Sequence, residues 1–249
     1  MDFMHLVGGW MLVAIFTFIA LLFIRAPYGR FTRGGWGPMI DNRLGWILME
    51  TVSPLSLTFW VMLSPNELSP WVWLFYGLWV FHYFYRSFVF PFMLKTTNKK
   101  MPLSIVLMAV FFNSVNGSLN GYYFGYVNPD VQWSDIHPLL FGLGSALFVI
   151  GFMLHFRSDR ILIGLRTSSD EGYKIPFGFA YRYVSSPNYL GEIVEWLGYV
   201  LLTGSPAALT FWVWTLANLY PRALANHKWY LTKFEDYPKN RKAILPFIH

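Results

Sequence analysis

The chain contains no cysteine. Disulfide bridges and thiolate metal sites are therefore excluded. Charge is scarce as well: Asp, Glu, Lys and Arg make up 13% of the 249 residues, where a soluble domain carries about 25%. Acids are the rarer sign, 13 against 19 cations. No glycine-rich loop ends in Lys-Ser or Lys-Thr, and no serine sits in a nucleophile elbow. Gly142 and Gly144 form a Gly-x-Gly, but inside an apolar run, where it reads as helix packing and not as a dinucleotide fingerprint. His5, His82, His137, His155, His227 and His249 are too scattered for a ligand cluster, so no metal is expected. Internal repeats and low-complexity tracts are missing too.

What is present is grease and rings. Hydrophobic residues reach 55% and aromatics 20%, with 12 Trp. That composition predicts a multi-pass membrane protein. The apolar run Leu6–Ile24 lacks a basic n-region before it and a small-residue cleavage site, so it reads as a retained span. Seven apolar segments can be drawn, at about 5–25, 44–63, 70–94, 103–124, 136–156, 188–204 and 207–226, each near the roughly 20 residues that cross a bilayer core.

The net charge of +6 is distributed by loop. Arg25, Arg30, Arg33 and Arg43 flank the first connection, and Lys95, Lys99 and Lys100 fill the third. Arg157, Arg160, Arg166, Lys174 and Arg182 fill the fifth, and Lys228, Lys233, Lys239, Arg241 and Lys242 lie in the tail. The intervening connections carry no cation. By the positive-inside rule this predicts an all-α, seven-transmembrane-helix bundle with its N-terminus outside and its C-terminus cytoplasmic. Residues 1–249 read as one membrane domain. The cations mark topology and headgroup attraction, not nucleic acid.

Polar groups inside such spans are costly and point to function. In Ser185–Tyr199, SSPNYLGEIVEWLGY, Ser186 suits an N-cap and Pro187 the first helical position. Asn188, Glu192, Glu195 and Tyr199 then share one helix face. Two acids on one apolar helix exceed what helix association needs, so the stripe reads as a ligand site. Glu50 lies two turns into the second span, and His82, Tyr83 and Arg86 lie together on the third. The two helices are expected to share a polar pocket. Either Glu50 and Arg86 form a structural ion pair, or Tyr83 acts as a hydrogen-bond donor oriented by Glu50, with Arg86 raising the local potential. Asn113, Asn116 and Asn120 on the fourth span read as interhelical hydrogen bonders.

SSPNYLGEIVEWLGY and FEDYPKNRKAILPFI (Phe234–Ile248) together resemble the C-terminal half of the steroid 5-alpha-reductase family. The resemblance continues upstream through HYFYRSFVF (His82–Phe90), NGSLNGYYFGY (Asn116–Tyr126) and RSDRILIGLR (Arg157–Arg166), and ends near PYGRFT (Pro27–Thr32). It implies NADPH-dependent reduction of a 3-oxo-4-ene steroid, with hydride to C5 and a proton to C4. Glu50 and Tyr83 match the pair that grips the C3 carbonyl. Tyr28, Thr32, Asn98, Lys99, His155, Asp159, Arg166, Lys174, Asn188, Glu192 and Tyr230 match cofactor contacts. Of these, Arg166 and Lys99, with Lys100, are the candidates for choosing NADPH over NADH. By the same resemblance about 1–125 is the substrate-cavity half and about 126–249 the NADPH-binding half.

The steroid is expected to enter from the bilayer, among membrane lipids, with no obligate protein partner. NADPH enters from the cytoplasmic face of a bacterial inner membrane or the endoplasmic reticulum. The chain departs from the family pattern at Met49, where Gln is usual, near Met108, where a base is usual, at Asn98-Lys99-Lys100-Met101-Pro102, and at His155, where Asn is usual. These departures bear on the choice of substrate. Two rival readings stand beside this one. Isoprenylcysteine-type membrane methyltransferases, which use S-adenosylmethionine, share a similar C-terminal pattern, although methyl transfer needs no carbonyl clamp. A non-catalytic sterol-binding protein would need no cation-rich cofactor face.

Overall fold

A computed structural model of the chain describes residues 2–95, 99–165 and 172–248. It is mostly helical. Among the described residues, four helices are long and apolar enough to cross a membrane: Phe3–Phe23, Asn42–Met62, Leu103–Val127 and Pro138–Gly164. The chain divides into two compact units, 26–138 with 203–208, and 1–25 with 139–202 and 209–249.

In the unit built on 26–138, α2 (Asn42–Met62) starts at Asp41, whose Oδ1 accepts from Leu44 N–H at 2.9 Å. Its inner face meets α5 (Leu103–Tyr122) and the turn that continues it, and glycines on both set how closely. A Cβ at Gly117 would strike the carbonyl of Ser53, one at Gly121 would lie 2.6 Å from Leu57 O, and one at Gly125 3.0 Å from Trp60 O. A spacing of four keeps all three on one face. Between them in sequence runs α3 (Pro70–Phe84), capped by Ser69 with Pro70 in the first turn.

α3 passes without a break into a π turn, Tyr85–Val89, and then into α4 (Phe90–Met93). Phe90 N–H donates to Tyr85 O, five residues back. Pro91, which has no N–H to donate, comes next. α5 ends in a second π turn, Tyr123–Val127, closed by Asn128 N–H on Tyr123 O at 2.8 Å. A short antiparallel pair, β1 (Met39–Asp41) and β2 (Lys100–Pro102), sets Ile40 opposite Met101. The all-α expectation missed this pair. Three residues per strand carry too little alternation to show in the sequence.

In the other unit, α6 (Pro138–Gly164) and α7 (Pro187–Thr203) approach backbone to backbone. A Cβ at Gly151 would lie 2.7 Å from Gly191 O, and one at Gly198 2.6 Å from Gly144 O. Glycines seven apart on both helices thus build the crossing, the small-residue contact that helices use in lipid. α8 (Pro206–Lys233) joins α7 through Trp212, whose Nε1 donates to Ile193 O at 3.0 Å. α1 (Phe3–Phe23) lies on α8, with Trp10 4.7 Å from Trp214, whose Nε1 donates to Trp10 O.

α6 and α8 run past the ends of their apolar segments, to Gly164 and Lys233. Arg157, Asp159 and Arg160 therefore stand on the last turns of α6 and not in a connection. Lys228, Tyr230 and Lys233 stand on α8 and not in a tail. Apolarity stops where hydrocarbon stops, but the backbone ladder has no reason to stop there.

Candidate active site

Among the described residues, each unit carries a buried polar cluster on its apolar helices. In the first, Arg86 sits on the π turn and is 8% exposed. Its Nη2 donates to Glu50 Oε1 at 3.2 Å. The guanidinium lies over Trp46 at 5.0 Å and Phe90 at 4.7 Å, so aromatic faces hold the cation where water does not. Pro54, four residues after Glu50, has no N–H for the Glu50 carbonyl, which loosens the helix at that carboxylate.

Tyr83, also buried, stacks on Trp79 at 5.5 Å, and Trp79 Nε1 donates to Ser53 Oγ at 3.2 Å. The Tyr83 hydroxyl donates to Asn113 Oδ1 at 3.5 Å. Asn113 Nδ2 in turn donates to Met49 O at 2.6 Å. A phenol donor and a buried carboxylate–guanidinium pair in an apolar surround can stabilise negative charge on a ligand oxygen.

In the second unit the Gly151–Gly191 crossing brings α6 and α7 polar side chains together. His155 is fully buried. Its Nε2 is 2.9 Å from Asp159 Oδ2 and 3.8 Å from Glu192 Oε1, while Nδ1 is 3.7 Å from Glu195 Oε2. Asn188 Nδ2 donates to Asp159 Oδ1 at 3.0 Å. Four candidate residues from the sequence, His155, Asp159, Asn188 and Glu192, thus meet. Glu195 joins them; it lies on the same predicted stripe, though the resemblance does not mark it as a site residue. Tyr199, at the far end of that stripe, packs with Phe148 and Trp196.

The remaining candidates are spread more widely. Tyr28 is half-buried just before a 3₁₀ turn, Gly29–Phe31, and exposed Thr32 folds its Oγ1 back onto Gly29 O at 2.8 Å. Exposed Lys99 accepts, through its carbonyl, from Asn42 N–H at 3.0 Å. Lys174 is exposed between Tyr173, which meets Trp229, and Ile175, which packs on Tyr230 and Tyr237. Tyr230 is buried and stacks flat on Tyr237 at 5.0 Å. Asn98 and Arg166 lie outside the described residues.

The C-terminal segment holds two features that the expected cofactor contacts do not include, although Ser185, Tyr237 and Arg241 lie in the two motifs that carry the resemblance. Ser185 Oγ lies 2.6 Å from His227 Nδ1 and 2.7 Å from the Tyr237 hydroxyl, and donates to Lys242 O at 3.1 Å. Burial pushes the Tyr237 hydroxyl up from its ordinary value, while its hydrogen bonds to Ser185 and Arg241 pull the other way. Arg241, 3% exposed, lies over the rings of Phe177 and Tyr237 at 5.0 and 5.1 Å. Its Nε and Nη1 make no hydrogen bond.

Comparison with known proteins points to a family. The family model for 3-oxo-5-alpha-steroid 4-dehydrogenase matches residues 99–249, more than half of the chain. The steroid 5-alpha-reductase DET2 of Gossypium hirsutum is 41% identical over 243 residues, covering 96% of this chain and 94% of the relative. The 3-oxo-5-alpha-steroid 4-dehydrogenase 1 of Bos taurus is 37% identical over 242 residues, covering 95% and 93%. The human 3-oxo-5-alpha-steroid 4-dehydrogenase 2 is 44% identical over 174 residues, covering 69% and 66%. Matches of this length and identity, on a chain with two buried polar clusters in apolar helices, make it an oxidoreductase of the steroid 5-alpha-reductase family.

Proposed function

We propose that the protein reduces the C4–C5 double bond of 3-oxo-4-ene steroids to 5-alpha-reduced 3-oxosteroids, using NADPH. The names of its relatives support the substrate class. The observation that carries the chemistry is the buried Tyr83 phenol in one helical unit with the Glu50–Arg86 pair. Bound NADPH would supply the hydride for C5, and a proton added at C4 completes the reduction. As that electron pair arrives, negative charge gathers on the C3 oxygen, and a donor must already be in place. In this reading Tyr83 holds the C3 carbonyl directly and Glu50 acts on it through Arg86. The phenol donates to the oxygen, and Glu50 keeps Arg86 where its positive charge stabilises the enolate.

The residues of the second unit suit the two ends of a dinucleotide. Asp159, Asn188 and Glu192, around His155, are acceptor-rich and fit ribose hydroxyls and a carboxamide N–H₂. Phosphates need cations. Arg241, with Nε and Nη1 unbonded beside the Tyr230–Tyr237 stack, fits that need, as does exposed Lys174. Arg166, Lys99 and Lys100 remain the candidates for reading the 2′-phosphate.

The same reading includes seven spans, with the N-terminus outside and the cofactor face cytoplasmic, in a bacterial inner membrane or the endoplasmic reticulum. The steroid arrives from the bilayer. Alternation of basic and cation-free connections supports this orientation.

The test is direct. Purified protein is mixed with NADPH and progesterone or testosterone, and loss of nicotinamide absorbance is measured over time. Turnover is expected, and Tyr83→Phe should lower kcat by about a hundredfold or more while NADPH binding persists. A flat signal with S-adenosylmethionine consumption would favour methyl transfer, and tight steroid binding without turnover a non-catalytic role. Undiminished turnover in Tyr83→Phe would remove the phenol from the mechanism.

A further inference from the structure

Asn113 stands apart from its neighbours on α5. The side chains of Asn116 and Asn120 each donate to their own helix, to Phe112 O at 2.8 Å and Asn116 O at 3.0 Å. Asn113 instead reaches out to two other helices. Its Nδ2 donates to Met49 O at 2.6 Å, and its Oδ1 accepts from the Tyr83 hydroxyl at 3.5 Å. The first bond is short and fixes the amide: with Nδ2 committed to a carbonyl, only Oδ1 can face the phenol. Met49 is the residue before Glu50, so the same side chain grips the turn of α2 that carries the carboxylate. Asn113 is 5% exposed and Tyr83 3%, which leaves no water to replace either bond.

We propose that Asn113 is a positioning residue for the reduction, parking the Tyr83 hydroxyl until the ketone arrives. A phenol has one proton to donate. In the free enzyme Asn113 Oδ1 accepts it, which pairs a buried hydroxyl. At 3.5 Å that bond is long, and a long bond is cheaply exchanged for a shorter one to an oxygen gaining negative charge. The amide holds the ring's rotor and the Glu50 turn in register without touching the substrate. This inference rests on the reading of Tyr83 as the carbonyl donor.

Asn113→Leu keeps the shape of the side chain and removes both bonds. It should lower kcat by roughly ten- to a hundredfold, the scale of a misplaced reacting group, while the steroid KM stays within about threefold of wild type. A residue that merely packs the helices would lower the yield of folded protein and leave kcat per folded molecule unchanged. Asn113→Ala is measured alongside, in case the leucine crowds the helices.

The same substitution in a Tyr83→Phe background should cost less than about threefold more, because its partner has gone. Wild-type kcat in both Asn113 variants, or a full multiplicative loss on top of Tyr83→Phe, overturns the proposal while leaving the donor role of Tyr83 intact. Undiminished turnover in Tyr83→Phe alone overturns that role, and the positioning role with it.

Discussion

Arg86 meets Glu50 at 3.2 Å from a π turn, not from a regular α-helix. The pair is enclosed, with side-chain exposures of 10% and 14%, and the cation is flanked by two rings. Breaking such a pair from one side leaves a buried charge uncompensated. Glu50→Ala should therefore lower stability by about 3 kcal/mol. Adding Arg86→Leu should restore much of that loss, because no charge is then stranded. Thermal unfolding in detergent of both variants checks this. Equal stability of Glu50→Ala and wild type would mean that the pair is solvated.

The α6–α7 crossing has no room for a methyl group. At Gly151 a Cβ would strike the backbone N of Glu195, and at Gly191 it would strike the backbone N of His155. Gly151→Ala and Gly191→Ala should each cost about 1–3 kcal/mol by forcing the helices apart. They should also weaken NADPH binding, since His155, Asp159 and Glu192 meet only through this approach. Gly142→Ala is the control, with nothing within 4 Å of its new methyl. Its stability should stay within about 0.5 kcal/mol of wild type.

Tyr237 sets an alkaline limit on the C-terminal segment. Burial holds its hydroxyl above the ordinary 10.0, against the opposing pull of Ser185 and Arg241. The folded protein thus keeps this proton at a pH where the unfolded chain gives it up. The stabilisation is complete below about pH 10 and is lost as pH rises through the folded value. Tm plotted against pH should fall more steeply above about pH 10 for wild type than for Tyr237→Phe. Parallel curves would show a phenol that ionises freely.

The cysteine-free chain is a ready background for mapping sidedness. Glu67→Cys, in the exposed connection before α3, should react with an impermeant maleimide added outside intact cells. Lys239→Cys should react only after the membrane is opened. The reverse pattern would invert the proposed topology, and labelling of both from one side would remove an odd number of spans.

The Ser185–Tyr199 stripe is legible in the sequence because helix periodicity alone places Asn188, Glu192 and Glu195 together. The start of α7 at Pro187 is legible for a similar local reason. Asp159 is harder to see. It is four residues beyond His155 on α6, but the apolar segment ends at about 156, and the chain reads beyond it as a connection. What brings both residues to Glu192 and Glu195 is the pair Gly151 and Gly191, far apart in sequence and unmarked by any local signal. Arg86 and Asn113 show two further limits. A π turn shifts side-chain phase without a composition of its own, so spacing rules written for about 3.6 residues per turn misplace the residues beyond it. The three asparagines of α5 have one residue type and near-helical spacing, yet one bridges helices and two bond their own backbone. That difference is made by the neighbouring helices.

Val184 and Lys242 run side by side as a parallel bridge, with Lys242 N–H on Tyr183 O at 2.9 Å and Ser185 N–H on Lys242 O at 2.8 Å. The doorway to α7 is therefore framed by a stretch of chain that comes after α8. An added or missing residue between Phe234 and Arg241 would register first at the head of α7, two or three residues from Asn188. In this protein a change of length near the C-terminal end edits the front edge of a helix that precedes it by some fifty positions.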